Sequence, residues 1–188
     1  MALALHGRKA EVALRRRVTP TGRERRFRHD DIIVTKTDPK GRITYANDIF
    51  LAVSGFREHE VIGQPHSLVR HPAMPRCIFQ YLWETIQKGE EVFAYVVNLC
   101  TNGDHYWVLA HVTPTIDRSG RIQGYHSNRR TAPRRALARI EPLYRELCRI
   151  EQSASDRKSG LKASRAHLDS FLRERGVSFH EFVLQDAE

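Results

Sequence analysis

Hydrophobic and polar positions change rhythm several times along this chain. Residues 32–34 (Ile-Ile-Val) and 43–45 (Ile-Thr-Tyr) are short β-rich runs on either side of Asp38-Pro39-Lys40-Gly41. There the proline presets φ and the glycine closes a turn. The pattern then turns helical in short pieces. Asn47 or Asp48 caps "DIFLAVSG", which Gly55 stops, and "REHEVIG" gives a second helix of one or two turns ended by Gly63. From Met74 onward Ile78, Phe79, Leu82, Trp83 and Ile86 fall on one helical face, and Gly89 ends that helix.

Strand patterns follow. "EVFAYVVNLC" and "HYWVLAHVTPTI" flank "TNGD", in which Asn102-Gly103 predicts a two-residue type I′ hairpin turn. "DRSGRI" turns the chain again into "IQGYHSN". Alternation puts Trp107, Leu109, His111 and Thr113 on one side of their strand, and Tyr106, Val108, Ala110 and Val112 on the other. From Ala132 the pattern is helical to the end. Leu143, Leu147 and Ile150 form one stripe and Leu161, Leu168 and Leu172 another, with Gly176 as a C-cap and Ser178 opening a last short apolar helix. Two strands, short helices, a longer helix and three strands predict an α+β fold. It is a five-stranded antiparallel sheet with helices on one face, plus a C-terminal helical extension. A cavity between sheet and helices is then the natural place for a small molecule.

The 188 residues fit one domain with appendages. The net charge of +9 is uneven: residues 1–29 carry nine Lys or Arg against Glu11 and Glu24. This sets a basic flexible N-terminal arm (1–29) apart from a globular domain (30–131), which a helical extension (132–188) follows. The arm is expected to be helical at most over Lys9–Arg17 and broken at Thr19-Pro20-Thr21-Gly22. Its basicity admits nucleic acid, acidic lipid or an acidic partner. The lack of interleaved aromatics and of any DNA-reading motif argues against nucleic acid. No apolar run is long enough for a membrane span or a secretory signal. The three cysteines have no metal-ligand spacing, so free thiols in the cytoplasm are expected. Neither a metal site nor a catalytic constellation emerges, and no dinucleotide-binding glycine fingerprint is present.

"HSLVRHPAMPRCIF", residues 66–79, is too proline-broken for a helix interior and too apolar for a plain surface loop. Together with "YANDIFLAVSGF", "GQPHSLVRHPAMP", "LWETIQKGE", "NGDHYWV", "GYHSNR" and "EPLYREL", it resembles the PAS domain of the Aer-type aerotaxis and energy-taxis receptors. The likeness runs from about Asp30 to Leu147. It implies a PAS fold, non-covalent FAD, redox or oxygen sensing, and signalling to a chemotaxis-type membrane receptor or another partner; the apolar stripes of the C-terminal helices call for cover within the molecule or in a homodimer. It puts Asn47, Arg70, His71, Trp83 and Asn98 at positions that contact or support the flavin, and Met74 and Phe79 at the start of its apolar wall.

The side-chain chemistry suits that ligand. An isoalloxazine needs apolar walls and polar groups along one edge. Asn98, an amide among Val97 and Leu99, is an edge reader or else a solvent-facing strand residue; Trp83 is a ring wall or plain core. Arg70 suits a phosphate or carboxylate, and His71 the adenine–phosphate end or a backbone carbonyl. The chain departs from the family at Ala73, where Asp is frequent, and at Val92-Phe93, where a tryptophan is common; whether Phe93 takes over stacking stays open. "VNLCTNG" is also more apolar than the family's pattern. Heme is a rival ligand, with His66, His71, His111 and His126 as axial candidates, and a ligand-free adaptor module is another reading. Cys77 and Cys100 lie outside the context that flavin photochemistry needs. The expected output runs from a hydrogen-bond change at Asn98, through the strands, to the helix that follows "GYHSNRR".

Overall fold

The computed structural model describes residues 18–185. The expected helix over Lys9–Arg17 lies outside them. Strands β1 (Ile33–Thr37) and β2 (Ile43–Ala46) come first, then helices α1 (Asp48–Ser54) and α2 (Glu58–Val61). A 3₁₀ turn (His66–Val69) leads to α3 (Arg76–Ile86). Strands β3 (Val92–Leu99), β4 (His105–Ile116) and β5 (Ile122–Thr131) follow, and the chain closes with α4 (Arg134–Ser153), α5 (Arg157–Glu174) and α6 (Phe179–Leu184). The five strands form one antiparallel sheet in the order β2-β1-β5-β4-β3.

Register fixes two faces. Val96 pairs with Val108, Ala110 with Arg129, and Thr35 with Ser127, so these side chains share one face. The helices α1 to α3 lie over it. The opposite face carries Tyr95 and Val97, both buried, with Trp107 and Tyr144 at a ring distance of 6.1 Å. The C-terminal helices stand there and beside β3. The Tyr144 hydroxyl donates to Tyr95 O (2.7 Å), and Tyr81 of α3 meets Phe179 of α6 at 4.6 Å. The extension therefore touches the sheet and α3 together.

The hairpin after β3 corrects the sequence reading. Gly103 N donates to Cys100 O (3.0 Å) and Cys100 N to Asp104 O (2.7 Å). That is a three-residue loop with Gly103 at φ +90°, not a two-residue type I′ turn. The reason is visible in Asp104, whose N–H turns back onto Asn102 Oδ1 (3.1 Å) and whose carboxylate accepts from Thr21 (2.6 Å).

Residues 19–29 also differ from the expected flexible arm. Thr21 N donates to Gly103 O (2.8 Å), Arg25 N to His105 O (2.7 Å), and His105 N to Arg23 O (2.9 Å). Phe27 sets its ring edge-on to Tyr106 at 6.4 Å, and Glu24 pairs with Arg134 at the start of α4. A segment that the charge count reads as solvated is held by backbone bonding to β4 and one half-buried aromatic ring, Phe27.

Candidate functional site

A cavity of about 300 Å³ lies between the sheet and the α3 side of the helices. Its floor is the inward face of four strands, with Thr35, Asn98, Ala110, Val112, Tyr125, Ser127 and Arg129. Its wall is the α3 stripe Phe79, Leu82, Trp83 and Ile86. Helical periodicity explains the wall: positions 79, 82, 83 and 86 return to one side, while Cys77 and Ile78 are buried in the core. Trp83 is clamped by Tyr125, edge-on at 5.4 Å, and by Gly41, where a Cβ would lie 2.9 Å from the indole. The indole is thus held as a flat panel rather than free to rotate.

Four of the seven residues singled out in the sequence line this cavity: Arg70, Phe79, Trp83 and Asn98. Asn98 is 3% exposed, and its backbone bridges to Arg70. Arg70 Nη2 donates to Met74 O (2.9 Å), and its guanidinium lies 4.7 Å from the Phe79 ring. Burial lowers its pKa from the ordinary arginine value.

The other three stand elsewhere. Asn47 is consumed by local structure: its Oδ1 accepts from Val34 N and Phe50 N (both 3.0 Å), and its Nδ2 donates to Ile32 O (2.8 Å). It caps α1 and ties that helix to β1. Asn47→Ala is expected to cost about 2 kcal/mol in chemical denaturation, because a cap and a strand tie are lost together. His71 accepts at Nδ1 from Ala73 N (3.1 Å) and faces His105 at 5.7 Å; burial, then His105, holds its pKa down to about 4. Met74 is 1% exposed within the hydrophobic core, because Pro75 turns the chain into α3 just after it. Ala73, the family's frequent Asp position, is exposed and away from the cavity. Phe93 points to the opposite face, stacked on His111 at 4.1 Å, and does not replace a ring wall.

The polar end of the cavity was missed in the sequence. Arg129, 5% exposed, donates from Nη2 to Thr35 Oγ1 (2.7 Å) and to His66 Nε2 (2.6 Å). His66 is kept neutral, with a pKa held down to about 3, first by burial and then by the Arg129 charge. Of the four heme-ligand candidates it alone lines the cavity, and its Nε2 is taken. Two buried atoms here have no protein partner: Ser127 Oγ and Arg129 Nη1. The signal that could have found them is phase. Tyr125, Ser127 and Arg129 alternate in step with the inward residues of β4. Neither Cys77 nor Cys100 lines the cavity. Among the described residues no His, Cys, Asp and Glu group is placed to hold a metal ion.

The arrangement suits a flat, largely apolar ring system with polar groups on one edge. Phe79, Trp83, Val96 and Val112 offer apolar surface, while Asn98, Ser127 and Arg129 offer hydrogen bonds from the floor. The orphaned Ser127 Oγ and Arg129 Nη1 are the fit's direct mark, since buried polar atoms are almost always satisfied.

Comparison with known proteins identifies the fold family. The PAS fold family matches residues 30–126. The chain is 46% identical over 161 residues to the aerotaxis receptor of Escherichia coli (strain K12), covering 82% of this chain and 31% of the receptor. It is 31% identical over 86 residues to the biofilm dispersion protein BdlA of Pseudomonas aeruginosa, covering 45% of this chain and 21% of that one. The chain thus spans a third or less of the length of these curated relatives. A light-oxygen-voltage domain solved in work on a flavin analogue superposes with a TM-score of 0.52 at 18% identity, over 59% of this chain and 85% of that one. The PAS domain of a protein from Colwellia psychrerythraea gives a TM-score of 0.50 at 18% identity, over 54% and 86%. At such identities these structures speak for the fold alone.

Proposed function

The chain belongs to the PAS family, and from that premise we propose that it is a cytoplasmic redox or energy sensor that binds FAD without a covalent bond. Its output goes to a chemotaxis-type receptor or another signalling partner through the C-terminal helices. The observation that carries this reading is the cavity itself: flat apolar walls against a floor with two unmet hydrogen-bonding atoms. The kinship with the aerotaxis receptor supports the choice of sensory role. Among the described residues no helix is long and apolar enough to cross a membrane.

At about 300 Å³ the cavity is at the lower end of small-molecule pockets, about 300–1,000 Å³. It suits the three-ring head of the dinucleotide rather than the whole. Lys40, Pro65 and Ser67 are exposed lining residues and mark the rim, where Lys40 and Arg70 bring positive charge suited to phosphates. Phe79 and Trp83 hold the ring plane and keep water off it. Asn98 carries both a donor and an acceptor, so it can match either proton arrangement on a ring edge by turning its amide. When bound, the flavin supplies reversible electron uptake; the protein's task is to register it.

Two connections lead outward. β5 runs into α4 through Pro133, as the sequence suggested. A shorter one goes through β3: Asn98 and Tyr95 share the strand, and Tyr95 O accepts from Tyr144 of α4. A shift of β3 therefore bears on the extension directly.

The absorption spectrum of the purified chain tests the ligand. Flavin bands near about 370 and 450 nm support the reading. A Soret band would replace flavin with heme, and a colourless protein that stays colourless after FAD reconstitution yet binds its partner would make it an adaptor. Asn98→Ala is expected to keep the colour, weaken FAD about tenfold and abolish the dependence of partner signalling on redox state. Normal redox-dependent signalling by that variant would refute the route through β3.

A further inference from the structure

We propose that Arg129, with Ser127, forms a wall that recognises an anionic or carbonyl-type group on the cavity's ligand. The proposal rests on the ligand-cavity reading above and names what that ligand must present.

Arg129 is buried on the sheet floor, and only one end of its guanidinium is met by protein. Nη2 serves Thr35 and His66, while Nη1 is buried without an acceptor. Among the described residues no carboxylate pairs with it. The groups that face it do not supply a negative charge either. His66 is neutral, and burial raises the Tyr106 phenol so that it stays protonated. Arg129 itself is lowered by burial to about 10 and remains a cation at neutral pH. A buried charge left without a counter-charge is costly to the fold. Here the match is left to whatever fills the cavity.

Ser127 makes the same point independently. It sits two residues earlier on β5, hence on the same face, and its buried Oγ also lacks a partner. Two polar atoms on adjacent pleats, both unmet and both on the cavity floor, describe a site for one acceptor edge. A flavin meets the requirement, because its ring edge is rich in carbonyl and imine acceptors and gains negative charge on reduction. Bound beside Arg129, its reduced form is favoured over its oxidised form.

The test compares the full chain with Arg129→Met, which fills similar space without charge, and with Ser127→Ala. In the ligand-free chain Arg129→Met is expected to hold or raise Tm. A buried charge is removed, and Thr35 and His66 keep each other at 3.1 Å. A fluorescence titration then uses anilinonaphthalene sulfonate against neutral N-phenyl-1-naphthylamine. The wild type is expected to prefer the anion about tenfold; Arg129→Met loses that preference and Ser127→Ala reduces it. In flavin-loaded protein the reduced form should lose about tenfold in relative affinity in Arg129→Met, which is about 30 mV lower in midpoint potential for a two-electron couple.

A fall in Tm, or failure to fold, in Arg129→Met would make Arg129 structural and overturn the proposal. So would an anion preference that survives the substitution. Flavin bound with an unchanged potential and an unchanged probe preference sinks the wall and leaves the flavin reading intact. No flavin, but an anion preference lost in Arg129→Met, sinks the flavin reading and leaves the wall.

Discussion

Glu151→Ala is expected to lower the unfolding free energy by about 3 kcal/mol, or about 10 °C in Tm, from loss of a buried ion pair and a helix cap. Pro75 precedes α3 and has no side chain to cap it. The acceptor comes instead from α4. Glu151 takes hydrogen bonds from Arg76 N (3.1 Å), Arg76 Nε (2.8 Å), Cys77 N (3.0 Å) and Ser164 Oγ (3.0 Å). Its side chain is 6% exposed and that of Arg76 19%, so solvent replaces little of what is lost. Because α3 carries Phe79 and Trp83, the variant should also release the cavity's ligand more easily.

The same carboxylate gives an acid signature. Burial pushes the Glu151 pKa up, but the bonds from Arg76, Cys77 and Ser164 outweigh it and hold the group below its ordinary value of 4.5. A depressed pKa contributes stability that is present above the unfolded value and is lost as pH falls through the folded one. Urea unfolding at about pH 7 and about pH 3.5 should therefore show the gap between wild type and Glu151→Gln closing at the acid end. A gap independent of pH would mean that the charge contributes nothing.

Gly124→Ala is the second large effect, expected to cost about 3 kcal/mol or more by overpacking against backbone. Gly124 immediately precedes Tyr125, the first inward residue of β5. A Cβ there would lie 2.1 Å from Thr37 O, and a carbonyl in a ladder cannot move aside as a side-chain end can. The register pairs Thr37 with Tyr125 and Thr35 with Ser127, so relief of the clash must shift β1 from β5. Besides a lowered midpoint in denaturant, the variant should lose ligand affinity, because Tyr125, Ser127 and Arg129 ride on the displaced strand. Wild-type affinity in a merely destabilised variant would show that the two strands adjust without disturbing the cavity.

How far the sequence could be read follows from the range of each interaction. The α3 wall was legible because a 3.6-residue period is written in consecutive residues, and Phe79 and Trp83 needed no knowledge of their partners. β4 was legible for the same reason at period two. Asn47 was legible as the cap of α1 from its place before "DIFLAVSG", but its tie to β1 was not, because the bonds to Val34 and Ile32 depend on the neighbouring strand. Arg129 lies in "HSNRR", a polar run that reads as a solvated strand end; the phase it shares with Tyr125 and Ser127 is its one local mark, and pairing with Ala110 fixes it inward. Glu151 could not be found at all, since its partner is 75 residues away and nothing local marks it. The attachment of residues 19–29 is not written in their charge: it comes from backbone bonds to β4 and from Phe27 against Tyr106.

The dressing of the sheet's two outer strands has a consequence for assembly. On β3, Arg70 bridges Asn98 and Tyr144 binds the Tyr95 carbonyl. On β2, Gly63 and Gln64 take up both polar groups of Ile43, and Arg42 bridges Pro65. Neither border is left as a bare row of amides, so the sheet resists lengthening by an added strand from another chain. Edge-to-edge aggregation is blunted, and recognition by β-augmentation is disfavoured on both sides.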